Sequence, residues 1–287
     1  IEEAEKFPYH NFPLNQIGGI HLNLVEFMTD IHPIRNVQEA EAYIDRLNLF
    51  DDSFKGTLEI LDAQREAGIF PPKFVFDHVI RQLTEFLNYE KEENPLREVF
   101  VRKIKELDLD SETSQDLVSK LDLAMEDSVK PGFGLLLGFM YETLPQANIH
   151  DGVWSLPNGD DFYALRLKVY TTTNYSAEEI HNIGLSEVQR LTDRMQEIFG
   201  QLGYGNNLNV GAMMNELNAD PKFLYADTPD RKQVVVKDYT DIVEETWGAA
   251  ESSFHKMPES KVEVRAVPEY SEQNQAGGYY MSPALDG

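Results

Sequence analysis

The chain has 287 residues and no cysteine, which excludes disulfides, thiolate nucleophiles and metals held by cysteine. Its 50 acidic residues outnumber 25 basic ones, and the net charge of -25 disfavours binding to nucleic acid or to anionic membrane surfaces. Hydrophobic residues make up 41% of the sequence, enough for a sizeable core, but no apolar run approaches the ~20 residues that span a bilayer.

The first predicted elements are two helices. A short helix is expected near residues 21–29. Asn36 is then a good N-cap with Glu39 three residues on, which is close to a capping box. Apolar residues at steps of three and four predict one long amphipathic helix after it, ending at Gly68. Its stripe comprises Val37, Ala40, Ile44, Leu47, Phe50, Phe54, Leu58 and Leu61.

Three more helices are predicted over residues 73–89, 95–107 and 111–129. Residues 131–144 follow and are apolar on nearly every side, which predicts a segment in the centre of the core. The buried stripe expected for the first of these helices is Phe74, Val79, Leu83 and Phe86.

A predicted loop lies at residues 152–159, where two glycines, a proline and an asparagine fall within eight residues. A helix over 161–170 follows. Ser176 and Glu179 then form the best capping box in the chain, and they start a helix that ends at Gly203. The expected inner side of this helix is Ile180, Ile183, Val188, Leu191, Met195, Ile198 and Leu202.

The C-terminal part contains a change from helices to extended chain. Helices are predicted near residues 210–218 and 231–255, and residues 261–267 then alternate with period two, as a strand does. The sequence therefore predicts a mainly α fold, a multi-helix array with a small β element at residues 261–282. The corresponding division is a helical domain, 1–257, and a β-containing segment, 258–287, that leads to a missing C-terminal catalytic part.

No catalytic motif in the chain is complete. None of the seven histidines lies in His-Glu-x-x-His, and there is no Gly-x-Ser-x-Gly elbow and no phosphate-binding loop. Glu178 and His181 match half of a di-metal helix motif, but such a site needs a second copy and two more carboxylates. The residues alone predict no catalytic or metal-binding residue in this chain. A hydrolase with scattered ligands is kept as a third interpretation.

The aromatic residues near glycines are the remaining candidates. Trp154 lies in the predicted loop and either anchors it or lines a cleft. Tyr279 and Tyr280 would point to opposite faces of a strand, and Gly277 and Gly278 would permit close approach of another backbone. A hairpin edge or bulge is the plainer interpretation of this ending. We also interpret it as the approach to an active site whose catalytic half lies elsewhere.

Five groups of residues together resemble one family, in the right order and over nearly the whole chain. They are Ile31–Ile34 with Tyr43–Leu47, Gly68–Pro72, Trp154–Gly159 with Tyr163 and Thr171–Thr173, Glu178–Val188, and Gly277–Gly287. The chain resembles the bacterial domain-of-unknown-function family numbered 885.

The resemblance implies a mostly helical protein longer than this chain, similar in architecture to helical carboxypeptidases and regarded as a zinc-dependent peptidase. The family's hallmark, a helix with His-Glu followed by Pro-Gly-His, is absent from this sequence. The chain would thus be the N-terminal scaffold and cleft wall, inactive alone. Zinc, a peptide substrate and the C-terminal half of the same polypeptide are implied for the full-length protein, as is a location in the cell envelope or periplasm.

The resemblance also implies a role for the ending. In helical zinc peptidases an edge strand beside the metal helix binds extended peptide by strand addition. The implied substrate-binding residues are Ala276, Gly277, Gly278, Tyr279 and Tyr280. The competing hypothesis is a non-catalytic helical protein that binds a peptide or another partner through its grooves, so the sequence leaves open whether the chain is part of an enzyme.

Overall fold

A computed structural model describes residues 6–204, 209–258, 260–267 and 277–282. Within these ranges the protein is mainly helical, as predicted, and contains no strand. The chain forms two compact units, Ile1–Asn174 and Tyr175–Gly287. The division at residue 258 rests on a change in sequence pattern rather than on compactness and stays a prediction.

The first unit is an array of eight α-helices within the residues described. A π-helical turn at Phe27–Ile31 extends the first helix, and another at Met125–Val129 joins the sixth to the seventh. The helices are α1 Ile20–Glu26, α2 Val37–Leu47, α3 Phe50–Glu66, α4 Lys73–Leu87, α5 Pro95–Glu106, α6 Ser111–Ala124, α7 Lys130–Thr143 and α8 Gly159–Thr171.

The second unit contains three longer α-helical elements among its described residues. They are α9 Ala177–Gln201, α10 Val210–Ala219 and α11 Arg231–Ala250, with a short 3₁₀ turn at Pro221–Phe223. No helix among the described residues has the combination of length and apolar character that a membrane span requires.

The first predicted long helix is two helices, because the chain turns at Asn48 and Leu49. The Asn36 cap is confirmed: its side-chain oxygen accepts from the Glu39 backbone N–H at 2.9 Å. Leu47 ends α2 and Phe50 begins α3, and both are buried. Their spacing of three fits a continuous helix as well as a break, so the apolar pattern could not reveal the turn.

The core of the first unit centres on aromatic side chains between α3, α4 and α7. Phe133 stacks on Phe86 with ring centroids 3.8 Å apart and meets Phe54 edge-on at 5.2 Å. Gly132 permits this approach, since a Cβ there would lie 2.7 Å from the Phe54 ring. Leu135, by contrast, is exposed. Residues 131–144 thus lie in the centre of the core as predicted, through Phe133, Leu136 and Met140, although one side of the segment is exposed.

The predicted stripe of α4 also needs one correction. Val79, Leu83 and Phe86 are buried as expected, but Phe74 is exposed and Phe76 is buried in the first turn. Phe74 and Phe76 are two positions apart, about 200° around a helix, so they lie on opposite sides and cannot both face the core.

The small β element predicted at residues 261–282 was wrong for the residues that the structure describes. Residues 261–267 and 277–282 are irregular and exchange no ladder hydrogen bonds. Val262, Val264 and Ala266 do alternate along the chain, but alternation supplies only an apolar face. A strand also needs a neighbour that completes its backbone hydrogen bonds, and the described part provides none.

Candidate functional site

The residues predicted to bind substrate lie on the surface, outside the helices. Gly277, Gly278, Tyr279 and Tyr280 are all exposed, with 68% of the Tyr280 side chain accessible. A Cβ at either glycine would meet no heavy atom within 4 Å. Ala276, the fifth predicted residue, lies outside the described residues. The described stretch is therefore sterically open to an approaching chain.

The histidines do not converge on a metal site among the described residues. No group of three or more histidine and carboxylate side chains there is placed to hold a metal ion, so these residues do not fit zinc. Three histidines, His10, His21 and His32, are buried in the first unit. The exposed ones are His78, His150, His181 and His255.

Buried His21 holds α1 against α4. Its Nε2 lies 3.0 Å from Gln82 Oε1, and Gln82 Nε2 donates to the Gln16 carbonyl at 3.0 Å. Because the amide oxygen can only accept, Nε2 carries the proton. Burial lowers the pKa of His21 from 6.5 to about 4. His21 is thus a neutral structural group at physiological pH.

His32 organises the corner between the first π-helical turn and α2. Its ring lies 2.8 Å from the Pro33 carbonyl through Nδ1 and 2.8 Å from Arg46 Nη1 through Nε2. Lys103 donates to the His32 carbonyl at 2.9 Å. Burial lowers the pKa of His32, and the cations Arg46 and Lys103 act in the same direction. The ring is therefore held neutral, with Nδ1–H donating and Nε2 accepting.

The predicted loop at residues 152–159 is a tight turn in which one glycine closely approaches the backbone. A Cβ at Gly159 would lie 2.0 Å from the Val153 carbonyl oxygen, which leaves no room for a side chain there. A Cβ at Gly152 would lie 1.8 Å from the ring of Trp154, an exposed side chain that could move aside. Asn158 adopts the left-handed region, with φ of 54°.

Contacts with the N-terminal segment fix this turn in the first unit. His10 Nε2 lies 2.9 Å from the Pro157 carbonyl, and the His10 ring packs on Phe162 with centroids 4.7 Å apart. Phe7 completes the cluster at 5.4 Å from Phe162. The turn is therefore anchored by His10 and Phe162 rather than by Trp154, which is 70% exposed.

Sequence reasoning missed an exposed aromatic face on α8. Tyr163 and Tyr170 are both exposed, and the Arg166 guanidinium lies over the Tyr170 ring, 4.6 Å from its centroid. The signal was available in their spacing, since positions i, i+3 and i+7 share one face of a helix. These side chains give α8 an accessible aromatic face.

The second unit presents a long apolar surface on α9. The capping box at its start is confirmed: Ser176 Oγ accepts from the Glu179 N–H, and the Glu179 carboxylate accepts from the Ser176 N–H at 2.8 Å. Past Asn174, only two hydrophobic side chains are buried among the described residues, Phe199 and Met213. Most of the predicted inner side is exposed. We define the α9 stripe as the exposed residues Ile183, Val188, Leu191, Ile198 and Leu202.

A comparison with protein families identifies the family to which the chain is related. The family described as "Bacterial protein of unknown function (DUF885)" matches residues 1–287. The chain belongs to the DUF885 family. This confirms the family resemblance drawn from the sequence, and the description attaches no activity to it. A search of curated proteins found no match.

One solved structure extends the comparison beyond this DUF885 chain. The chain is similar to the putative lipoprotein from Colwellia psychrerythraea, with 30% sequence identity and a TM-score of 0.89. The match covers 97% of this chain and 48% of that one, so the chain spans about half the length of the lipoprotein.

The segments that carried the DUF885 resemblance have different structural roles. Residues 31–34 and 43–47 build the corner around His32, and residues 154–159 build the rigid turn. Residues 178–188 form the first half of α9, and residues 277–282 lie exposed in the second unit. Among the described residues, the corner around His32 and the turn at residues 154–159 have a clear role in the fold. The α9 stripe and the exposed residues 277–282 do not.

Proposed function

We propose that this DUF885 chain is the helical scaffold and cleft wall of a zinc-dependent peptidase. In this proposal it positions an extended peptide substrate, and residues outside the described ranges supply the metal and the chemistry. Its membership of the family and its likeness to half of a longer lipoprotein support a role as part of a larger structure. The same likeness supports a location in the cell envelope.

The observation that carries the proposal is the open segment at residues 277–282. Its backbone lies outside every helix and is exposed, and Gly277 and Gly278 leave its flank clear of side chains. An extended peptide binds such a segment by main-chain hydrogen bonds, with alternate side chains entering flanking pockets. Tyr279 and Tyr280 would then contact the substrate from either side of the segment.

The proposal assigns no catalytic step to the described residues. They do not provide a set of histidines and carboxylates placed for zinc. A catalytic zinc needs three protein ligands and an open position for water. In this proposal, those three ligands lie outside the described residues. This chain's own contribution is binding and orientation of the peptide.

A non-catalytic helical protein that binds a peptide or another partner is the second candidate. The α9 stripe favours it, because five apolar side chains on one helix face are accessible. A binding protein needs such a surface, whereas peptide positioning by residues 277–282 does not explain it.

Zinc content and peptide hydrolysis test the first proposal against the second. We would measure both for this chain and for the full-length Colwellia lipoprotein, using a mixed library of unstructured peptides. The lipoprotein should bind about one zinc per molecule and hydrolyse peptides, and this chain should do neither. A lipoprotein without zinc or activity would overturn the peptidase proposal, and hydrolysis by this chain alone would overturn the scaffold role.

The exposed glycines allow a sharper test in a form of the protein that hydrolyses peptides and contains residues 277–282. Gly278→Val places a branched side chain on the flank where the peptide backbone would approach, so KM for peptides should rise about tenfold or more with kcat little changed. Gly138→Val is the matched control, because that glycine lies in α7 with no heavy atom near its Cβ position. Equal KM values for the two variants would remove residues 277–282 from the substrate site.

A further inference from the structure

The α9 stripe runs along most of its helix. At 100° per residue its five members fall within an arc of about 140°, and they extend over about 30 Å of helix. These residues are 39–63% exposed. Exposed apolar side chains gathered on one helix face favour an interaction site.

Two ion pairs of α9 reach into the stripe. At 100° per residue, Glu187 and Arg194 fall inside the arc of the stripe, between Ile183 and Ile198 along the helix. Glu187 pairs with Arg190 at 2.8 Å, and Arg194 pairs with Glu197 on the same helix. Because each of these charges is already paired within α9, a partner need not bring counter-charges to the stripe.

Helix α11 repeats the same feature in the second unit. It has no buried side chain, and Val234, Tyr239 and Ile242 are exposed. Two helices of one unit thus carry apolar side chains that their own fold does not cover. A single partner surface that covers the unit would explain why both helices expose apolar side chains.

A second copy of this chain is a poor occupant for the stripe. Each copy carries a net charge of -25, and bringing two such chains together is opposed by like-charge repulsion. The similar lipoprotein suggests a better occupant, because 52% of its length lies outside the match to this chain. That remainder is as long as this chain and belongs to the same polypeptide as the matched half.

We infer that the α9 stripe is the docking surface for a polypeptide equivalent to the unmatched half of the Colwellia lipoprotein. The inference rests on the proposed scaffold role and names the surface through which the scaffold is attached. Apolar side chains of the partner would fill the positions along the stripe, burying Leu191 near its centre as an anchor. Burying the exposed side chains there removes apolar surface from water, which favours the attachment.

Cysteine labelling tests the inference, since the chain has no cysteine of its own and a single one labels uniquely. Leu191→Cys places a thiol in the stripe. Gln189→Cys places one on a different face of α9, where the side chain is also exposed. The ratio of their maleimide labelling rates would be measured in this chain at low and high concentration. It would also be measured, by mass spectrometry of the labelled peptides, at the superposed positions of the full-length lipoprotein.

The expected ratio of stripe to control labelling is near one in this chain at both concentrations and one tenth or less in the lipoprotein. A ratio near one in the lipoprotein would show that its other half does not cover the stripe, and would overturn the inference. A ratio that falls as this chain is concentrated would also overturn it, in favour of a second copy. The readout needs neither zinc nor hydrolysis, so its failure is separate from failure of the peptidase proposal.

Discussion

Individual buried histidines in this chain stabilise the fold and at the same time make its stability depend on pH. His21 is the clearest case, because it is buried, bonded through Nε2 to Gln82, and its pKa is lowered to about 4. Nδ1 has no hydrogen-bond partner among the described residues. Protonating Nδ1 in the folded state would therefore bury an uncompensated charge.

His21 should destabilise the protein as the pH falls from about 6.5 to about 4. Across this window His21 binds a proton in the unfolded chain but not in the folded chain. The free energy of unfolding therefore falls, by roughly 3 kcal/mol in total. Above pH 6.5 the contribution is constant. Urea unfolding followed by circular dichroism at pH 4 to 7.5 measures the effect.

The matched variant for this measurement is His21→Gln, whose amide N–H can take the place of His21 Nε2 toward Gln82 but cannot titrate. Its loss of stability between pH 6.5 and 4 should be smaller than that of the unmodified chain by roughly 3 kcal/mol. His150→Gln removes an exposed histidine of the same unit and should leave the difference unchanged. Identical pH profiles for His21→Gln and the unmodified chain would contradict the assignment.

At the scale of elements, the turn at residues 152–159 depends on backbone space rather than on side-chain contacts alone. Gly159→Ala should destabilise the first unit by about 2 kcal/mol or more, because its Cβ would lie 2.0 Å from the Val153 carbonyl. Gly138→Ala in α7 meets no heavy atom within 4 Å and should stabilise by about 0.5–1 kcal/mol through helix propensity. Chemical unfolding of both variants measures the contrast, and equal stabilities would contradict the close approach at Gly159.

Elements were predictable from sequence where their signal was local. The caps at Asn36 and Ser176 were found because each acts on a backbone N–H three residues away. The break at Asn48 was missed because Leu47 and Phe50 keep a helical spacing across it. The strand at residues 261–267 was wrongly expected because strand pairing is set by distant residues that no local pattern reveals.

For the candidate site too, local sequence patterns did not show what surrounds each residue. Periodicity identified the apolar face of α9 correctly, but it could not say whether anything covers that face. The substrate residues came from the family resemblance, and the structure adds that Gly278 and Tyr280 are accessible. The aromatic face of α8 was missed because the candidates considered were aromatic residues near glycines, whereas Tyr163 and Tyr170 are related by helical spacing.

For the molecule as a whole, the buried apolar side chains are divided unequally between the two units. The continuous core runs from Leu14 to Met140, within the first unit. Among the described residues past Asn174, only Phe199 and Met213 are buried hydrophobics, and α11 has none. Because burial supplies most of the stability of a helix in a protein, the second unit should open more readily than the first.

Hydrogen exchange of the isolated chain should therefore separate the units. After correction for intrinsic rates, amides in the middle of α4 and α7 should exchange at least about a hundredfold more slowly than those of α11, with α9 in between. Residues 261–267, which lie outside the helices and are mostly exposed, should exchange fastest. Within α9, the turn around buried Phe199 should be better protected than the turn around exposed Leu191, which serves as an internal control on the same helix. Equal protection of α7 and α11 would contradict the argument, since it would require a source of stability in the second unit other than side-chain burial.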